Sequence, residues 1–419
     1  MKIKNVADVV RWRLCVGCGA CAYLCPEKSI SLINVKSDGI RPEIAASRCK
    51  ECGDCLKACP GIETKQNYTD RIDALVEGLQ DGWGPILELW EGYASDQELR
   101  FNGSSGGAAS ALALYCIEHK NMDGVLHAAA DKEEPFVNRS VLSRNRFEIL
   151  SRTGSRYAPA STCDGLERIE IASRPCVFLG KPCDVAAVQK AQGIKPGLSR
   201  NIGIKIGIFC AGAPSTQGTL DLLQSLDIDS GKVEEIRYRG KGWPGKFSVK
   251  LKGEEQTREI LTYMAAWSFL QKYRPYRCYL CPDGTSELAD ISVGDPWYRP
   301  IKQEERGFSL ILVRTEKGRQ ILRETINAGY ITAKSVSPQI LENSQKNLLT
   351  KRGSVWGRLL IMKAFGIPTP QFSGFSLFNN WLKLPVTSKI SSLFGTGKRI
   401  IKRRYYSPLS DQMSIKSRL

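Results

Sequence analysis

The sequence predicts a small cysteine-rich α+β module, then an α/β domain, then a basic C-terminal extension. Three observations predict it. Eight of the fifteen cysteines fall within residues 1–65, in two copies of one spacing. From Pro85 onward, short apolar runs alternate with helix-like segments. Beyond about residue 336 the alternation stops, and Ser, Pro, Phe and basic residues take over. The 419 residues are 42% apolar and 25% charged, which supports a packed core and excludes whole-chain disorder. The longest nearly apolar stretch, 202–214, is too short to cross a bilayer and contains Lys205. Residues 1–13 carry Lys2, Lys4, Asp8, Arg11 and Arg13 and lack the apolar run of an export signal. The expected location is therefore cytoplasmic, where paired cysteines point to metal or redox chemistry rather than disulfides.

The module spans 1–65. A polar linker is expected at 66–84, around Asp81-Gly82-Trp83-Gly84. The α/β domain is expected at 85–335. Within it, Gly103 to Lys120 reads as a helix after a glycine-rich start, stopping near Gly124. Val125 to Ala130 reads as a strand, and Cys176 to Leu179 as a buried one. The helix Val185 to Gln192, the strand Ile202 to Phe209 and the helix Thr216 to Leu226 follow. Val233 to Tyr238 and Phe247 to Leu251 read as strands, and Tyr263 to Lys272 as a helix. Residues 336–419 form the extension.

The cysteine repeat is the most specific signal. Cys15-x2-Cys18-x2-Cys21-x3-Cys25-Pro26 recurs as Cys49-x2-Cys52-x2-Cys55-x3-Cys59-Pro60. This is the bacterial ferredoxin run, twice. Three closely spaced thiolates hold one face of a 4Fe-4S cubane, and the fourth Cys of each run ligates the other cluster. One cluster is therefore expected on Cys15, Cys18, Cys21 and Cys59, and the other on Cys49, Cys52, Cys55 and Cys25. Zinc is the competing reading, but it uses four ligands in two pairs. The two histidines, His119 and His127, are too few for His-based metal or Ser-His machinery.

Seven cysteines remain. Cys116 lies in an apolar helix, and Cys163 and Cys176 lack partner spacing, so these read as core or loop residues. Cys278-x2-Cys281 is a metal-type pair. Cys183 and Cys210 each follow a predicted strand, and in a parallel sheet the carboxyl ends of neighbouring strands lie side by side. They either complete a four-thiolate site with Cys278 and Cys281 or are simply buried. Asn102-Gly103-Ser104-Ser105-Gly106-Gly107 precedes a helix and reads either as a plain cap or as a loop for phosphate. Arg239 to Gly245 reads either as a ligand loop or as a tight turn.

Together these segments resemble the beta-subunit family of coenzyme F420 hydrogenases and dehydrogenases, iron–sulfur flavoproteins. The resemblance runs from about Cys15 to residue 330. It rests on the double cysteine run, on Gly103 to Gly107, on Gly154-Ser155-Arg156-Tyr157 and on Gly180-Lys181-Pro182-Cys183. It also rests on Gly240 to Gly245 and on Cys278-x2-Cys281 followed by Ala289-Asp290-Ile291-Ser292-Val293-Gly294-Asp295. It implies an N-terminal ferredoxin-like module with two 4Fe-4S clusters and an α/β domain binding FAD noncovalently. It implies that Gly103, Ser104, Ser105, Gly106, Gly107, Arg156, Tyr157, Lys181, Gly242 and Trp243 line the flavin. It implies a third cluster on Cys183, Cys210, Cys278 and Cys281. Asp290 and Asp295 are then the candidate proton carriers, with loop capping as the competing reading.

The expected function is oxidoreduction: electrons pass between clusters and FAD, with hydride exchange to the deazaflavin coenzyme F420 or reduction of a small organic substrate. The alternatives are a ferredoxin-dependent reductase of a sugar or tetrapyrrole-type substrate, and a non-catalytic electron-transfer subunit. The expected partner is an electron donor or acceptor protein, or deazaflavin.

Net charge is +17, and residues 371–419 hold nine basic residues against Asp411. That tail is solvated, docked on a protein partner, or peripheral to an anionic membrane at the inner face. Gly395, Gly397 and Pro385 are expected to interrupt any helix there. Nucleic acid is not expected, because Tyr405 and Tyr406 are too few for base stacking.

Overall fold

The protein is described by a computed structural model covering residues 3–66, 75–302 and 305–409. The cysteine repeat folds twice into the same local shape. Short helices Ala20–Leu24 and Asp54–Lys57 each follow a glycine with positive φ, Gly19 at 88° and Gly53 at 81°. This is the left-handed region where a Cβ is disfavoured, so glycine frees the chain to turn sharply between the thiols. Between the two runs, β1 (Ile30–Val35) and β2 (Gly39–Ile44) form an antiparallel hairpin, and β3 (Glu63–Lys65) follows the second run.

Beyond the module come β4 (Glu88–Ala94), β5 (Val125–Ala130), β6 (Asn138–Ser143), β7 (Cys176–Gly180) and β8 (Ile202–Ile208). Then follow β9 (Val233–Arg237), β10 (Lys246–Leu251), β11 (Arg258–Thr262), β12 (Ile291–Gly294), β13 (Ser309–Val313), β14 (Ile331–Ser335) and β15 (Gln371–Ser373). Eight of these make one sheet in the order β14-β4-β13-β12-β8-β7-β5-β6. Its centre, β12-β8-β7-β5, is parallel, and both flanks are antiparallel. The alternation of strand and helix thus builds a mixed sheet. Alternate residues of β7 serve two cores. Val177 faces the helix Ala108–His119 with Ile204, Ile206 and Ile291. Cys176 and Phe178 face Val185, Val188 and Leu198, and this second core continues to Ala20, Tyr23 and Leu24 of the cysteine module.

The strands expected at 233–238 and 247–251 form, but outside the main sheet. With β11 they make a separate antiparallel sheet, β11-β10-β9, over a core of Leu222, Ile236, Phe247, Val249 and Leu270.

Two expectations are corrected. Within the segment read as a linker, Gln80–Trp83 is a helical turn, and Leu79 and Trp83 pack with Ile86, Leu310 and Leu341. Apolar side chains at 79, 83 and 86 outweigh the polar average of the segment; residues 67–74 lie outside the described residues. The extension is also no loose tail. Pro338–Ser344, Lys346–Ala364, Leu377–Leu382 and Val386–Lys402 are helices, and β15 pairs in parallel with β3. The last helix runs through Gly395 and Gly397. Pro385 sits at its N-cap, where a missing N–H costs nothing, and packing offsets the roughly 1 kcal/mol cost of each glycine. Asp411, Lys416 and Arg418 lie outside the described residues.

Candidate iron–sulfur and flavin site

The first cysteine site is assembled by the turns around both runs. Cys15, Cys18, Cys21 and Cys59 border one cavity, closed by Val6, Val9, Leu32 and Ala58. The fourth thiol of the second run thus stands with the first three of the first run. Gly61 has no room for a side chain there: a Cβ would lie 2.6 Å from Leu14 O and 3.2 Å from Cys59 Sγ. Gly17 N donates to Cys15 Sγ at 3.4 Å. Burial pushes the Cys59 thiol up to about 12, with Cys18 and Cys15 adding to the rise. Cys21 is raised by burial and by Cys18, Cys15 and Cys59. In the second run, burial raises Cys55, and Cys52 and Cys49 add to it. Cys25 Sγ accepts from Ser29 N at 3.3 Å and lies 3.1 Å from Ser29 Oγ.

Cys163 is a neighbour that spacing could not reveal. Its N donates to Cys18 O at 2.9 Å, and its Sγ lies 3.4 Å from Asp184 O. Its hydrogen bond to the Cys18 sulfur is the main cause lowering the Cys18 thiol. Cys116 and Cys176 are core residues.

Cys183, Cys210, Cys278 and Cys281 border a second cavity together with Cys15, Arg41, Lys181, Arg277 and Lys351. Three elements bring them there. Cys183 is in the first turn of the helix Pro182–Gln192 after β7, Cys210 follows β8, and the Cys278/Cys281 pair lies ahead of β12. Burial pushes Cys210 up to about 11 against the pull of Lys351, and raises Cys183 well above an ordinary thiol against the pull of Lys181. Among the described residues, no three His, Cys, Asp or Glu side chains converge to hold a single ion. Four thiols bordering one cavity match the donor set of a 4Fe-4S cubane, one thiolate to each iron. Lys181 is fully committed to this wall: its Nζ donates to Ala160 O and to both Asp184 carboxylate oxygens. Burial alone would lower it, but Asp184 holds it above the usual lysine range. Lys351 comes from the extension, so the cavity draws on residues beyond the α/β domain.

The glycine-loop residues gather elsewhere, at the carboxyl end of β12. Ser104 Oγ accepts from Ser155 N, and Ser105 Oγ donates to Phe308 O at 2.7 Å and lies 3.2 Å from Gly294 O. Gly106 and Gly107 let the loop pass Gly92, Phe308 and Leu99 at distances a Cβ would close. Gly103 packs on Gly107 in the same way. Gly242 N donates to Phe101 O, and Gly240 is in contact range of Asn102, so the two glycine loops lie against each other. Arg156 is spent internally, donating to Asn138 Oδ1, Ile236 O and Pro135 O. Tyr157 packs among Tyr238, Tyr263 and Trp267.

The two candidate acids part company. Asp295 follows β12 and takes both Arg239 nitrogens, at 2.9 and 2.7 Å, together with Trp243 Nε1 at 2.9 Å. Asp290 precedes β12, at the opposite end of the strand. It accepts from Lys205 N at 2.7 Å and Thr315 Oγ1 at 2.9 Å, tying the entry of β12 to β8 and to the N-cap of the helix Glu316–Asn327. The structure does not bring Asp290 to the glycine loops. His127 pairs with Ser143 and belongs to no site.

Residues 89–167 and 174–339 match the N-terminal and C-terminal sequence models, respectively, of "Coenzyme F420 hydrogenase/dehydrogenase, beta subunit". The chain belongs to this family. Residues 14–61 match a "4Fe-4S dicluster domain". The coenzyme F420 hydrogenase subunit beta of Methanococcus voltae is 28% identical over 290 residues, covering 66% of this chain and 95% of that one. The coenzyme F420-dependent sulfite reductase of Methanocaldococcus jannaschii is 25% identical over 342 residues, covering 76% of this chain and 48% of that one. A chain of the F420-reducing NiFe hydrogenase complex from Methanosarcina barkeri shares the fold, with TM-score 0.55 and 23% identity over 68% of this chain and 95% of that one. The two beta-subunit models end at residue 339, ahead of the three last helices.

Proposed function

We propose that this beta-subunit family member is an iron–sulfur flavoprotein oxidoreductase, moving electrons between 4Fe-4S clusters and FAD and exchanging a hydride with the deazaflavin coenzyme F420 or reducing a small organic substrate. The observation that carries the reading is the shared wall: Cys15 of the first run borders the same cavity as Cys183, Cys210, Cys278 and Cys281. When bound, clusters supply one-electron transfer and a flavin converts it to two-electron hydride chemistry. The residues of the chain hold and tune these groups. Arg41, Lys181 and Lys351 place positive charge beside the thiolates, which favours their ionised, ligating form. Cys278 and Cys281 are one turn apart on a segment fixed by Leu280 in the core.

For the flavin, two features fit. The helix Ala108–His119 starts at Gly107 with no side-chain cap, leaving first-turn amides for a phosphate. Trp243, Trp297 and Tyr263 stand ring to ring at 5.3 and 5.5 Å, a wall for a flat heterocycle. Asp295 orients Trp243 and anchors Arg239, so its role is positioning.

Anaerobic purification with iron, sulfide and flavin quantitation is expected to give about twelve irons, as three cubanes require, with FAD bound. Oxidation of reduced F420 by a dye acceptor should follow. Full iron without flavin overturns the flavoprotein reading. A second reading, an electron-transfer subunit, is favoured by a relative named as a hydrogenase subunit. Cluster reduction without turnover by the lone chain would establish it instead.

A further inference from the structure

The last helix is built inside out. Val386–Lys402 turns Ser392, Thr396 and Ile400 inward. Four of its apolar side chains point to solvent: Val386 is 68% exposed, Ile390 51%, Phe394 75% and Ile401 60%. At 100° per residue these four fall within about 80° of arc, one continuous stripe. By the same count Lys398 and Lys402 lie along one edge of it and Lys389 beyond the other, with Arg403 and Arg404 at its end. The helix is held firmly from behind. Gly357 of Lys346–Ala364 lets Ser392 approach, Trp381 Nε1 donates to Ser392 Oγ at 3.1 Å, and Ile400 packs beside Met362 and Trp12. The preceding short helix exposes Phe378 and Leu382 as well.

A convex apolar ridge with basic flanks has a specific complement. From residue 343 to 410 there is not one Asp or Glu. Net charge of +17 makes a second copy of this chain a poor cover, since like charges would meet. No described helix is long and apolar enough to cross a membrane. A ridge of this kind sinks a few ångströms into the headgroup boundary of an anionic bilayer, where lysine and arginine add electrostatic attraction.

We propose that the outward stripe Val386–Ile390–Phe394–Ile401, with Lys398 and Lys402, is a docking surface for an anionic lipid bilayer. The helix's carboxyl end rests on the segment carrying two of the cavity cysteines: Arg399 lies over the Tyr279 ring at 5.1 Å, and Tyr405 packs on Tyr276 at 4.6 Å. Docking would therefore set the orientation of that cavity to the lipid surface.

The test is co-sedimentation of the full chain with phosphatidylcholine vesicles, with and without phosphatidylglycerol, at low and high salt. Binding is expected only with phosphatidylglycerol and should weaken with salt. Ile390→Ser/Phe394→Ser and Lys398→Ala/Lys402→Ala should each lower vesicle partitioning by about tenfold or more. Their thermal unfolding should match wild type, because the altered side chains are solvent-facing. Phe147→Ser, exposed on another helix, should bind as wild type does. Equal partitioning of wild type and the Ile390/Phe394 variant overturns the proposal. So does a wild-type dimer dissolved by that variant, or a co-purifying protein partner lost with it while vesicles are ignored. None of these outcomes bears on the redox reading.

Discussion

At the residue scale, Asp295 and Arg239 carry the clearest consequence. Arg239 is almost wholly buried, and its charge is answered by the Asp295 carboxylate, which also holds Trp243. Asp295→Asn would leave a buried guanidinium without its counter-charge. Breaking such a pair costs about 3–5 kcal/mol, so the urea midpoint should fall by the equivalent amount. The pH dependence of stability should show His127. Its Nδ1 lies 3.2 Å from Ala128 O and its Nε2 2.8 Å from Ser143 Oγ, which also accepts from Arg152. Burial, helped by Arg152, lowers its pKa to about 4. A depressed folded pKa means stability that is full above the unfolded value of about 6.5 and is lost as pH falls toward 4. The loss is on the order of 3 kcal/mol. Glu287, pushed up to about 7 by burial, acts in the opposite sense between about 4.5 and 7. The measurement is therefore the difference between wild type and His127→Gln from pH 7 to pH 4. The stability of wild type relative to His127→Gln should fall as the pH falls, because only wild type has the imidazole to protonate and Glu287 is common to both.

At the element scale, the helix pair Lys346–Ala364 and Val386–Lys402 meets at Gly357. A Cβ there would collide with Ser392 Oγ and stand 3.0 Å from Trp381 Nε1. In an isolated helix, alanine is about 1 kcal/mol better than glycine. Here overpacking should dominate, and Gly357→Ala is expected to destabilise by about 1–3 kcal/mol. Gly395→Ala on the partner helix is the contrasting case, because its Cβ would meet only Ser391 Oγ at 3.6 Å. It should stabilise by a few tenths to about 1 kcal/mol. Chemical denaturation of the two variants, read together, separates propensity from packing. Opposite signs are the expected result.

At the scale of the whole molecule, the extension holds the cysteine module in place. Ile367, Met362 and Ile400 close over Val9, Trp12 and Leu14 of the module and over Tyr276 and Leu280. β15 adds to β3, just beyond the second cysteine run. A chain ending after residue 365 would expose Leu14, next to Cys15, and Leu280, between Cys278 and Cys281. Losing the buried Ile367, Phe375 and Ile400, each contributing ~1.5–3 kcal/mol when buried, should cost about 5–9 kcal/mol. Iron content after anaerobic purification should fall together with the thermal midpoint. Unchanged iron and stability would mean that the extension is only a passenger.

How much of this was legible in the sequence follows from how local each signal is. The two cysteine runs could be read directly, because three thiolates on one cubane must come from one short turn. The strands at 125–130, 176–179 and 202–209 could be read because a half-buried strand needs a short apolar run, and the helix at 108–119 because its residues favour that state. The glycine loops were visible as glycines, though their mutual contact was not. What joined these pieces was tertiary. The repeat already predicts Cys59 with Cys15, Cys18 and Cys21, but only the folded chain places Cys163 beside Cys18. Only the fold shows Asp290 and Asp295, at opposite ends of one four-residue strand, as a tie to Lys205 and Thr315 and as an anchor for Arg239. The extension was misread because composition averages over position. The inward residues of its last helix, Ser392, Thr396 and Ile400, are small or isolated, so nothing in their spacing shows that they pack. Local chemistry is written in spacing, whereas burial and partnership depend on which distant surfaces meet.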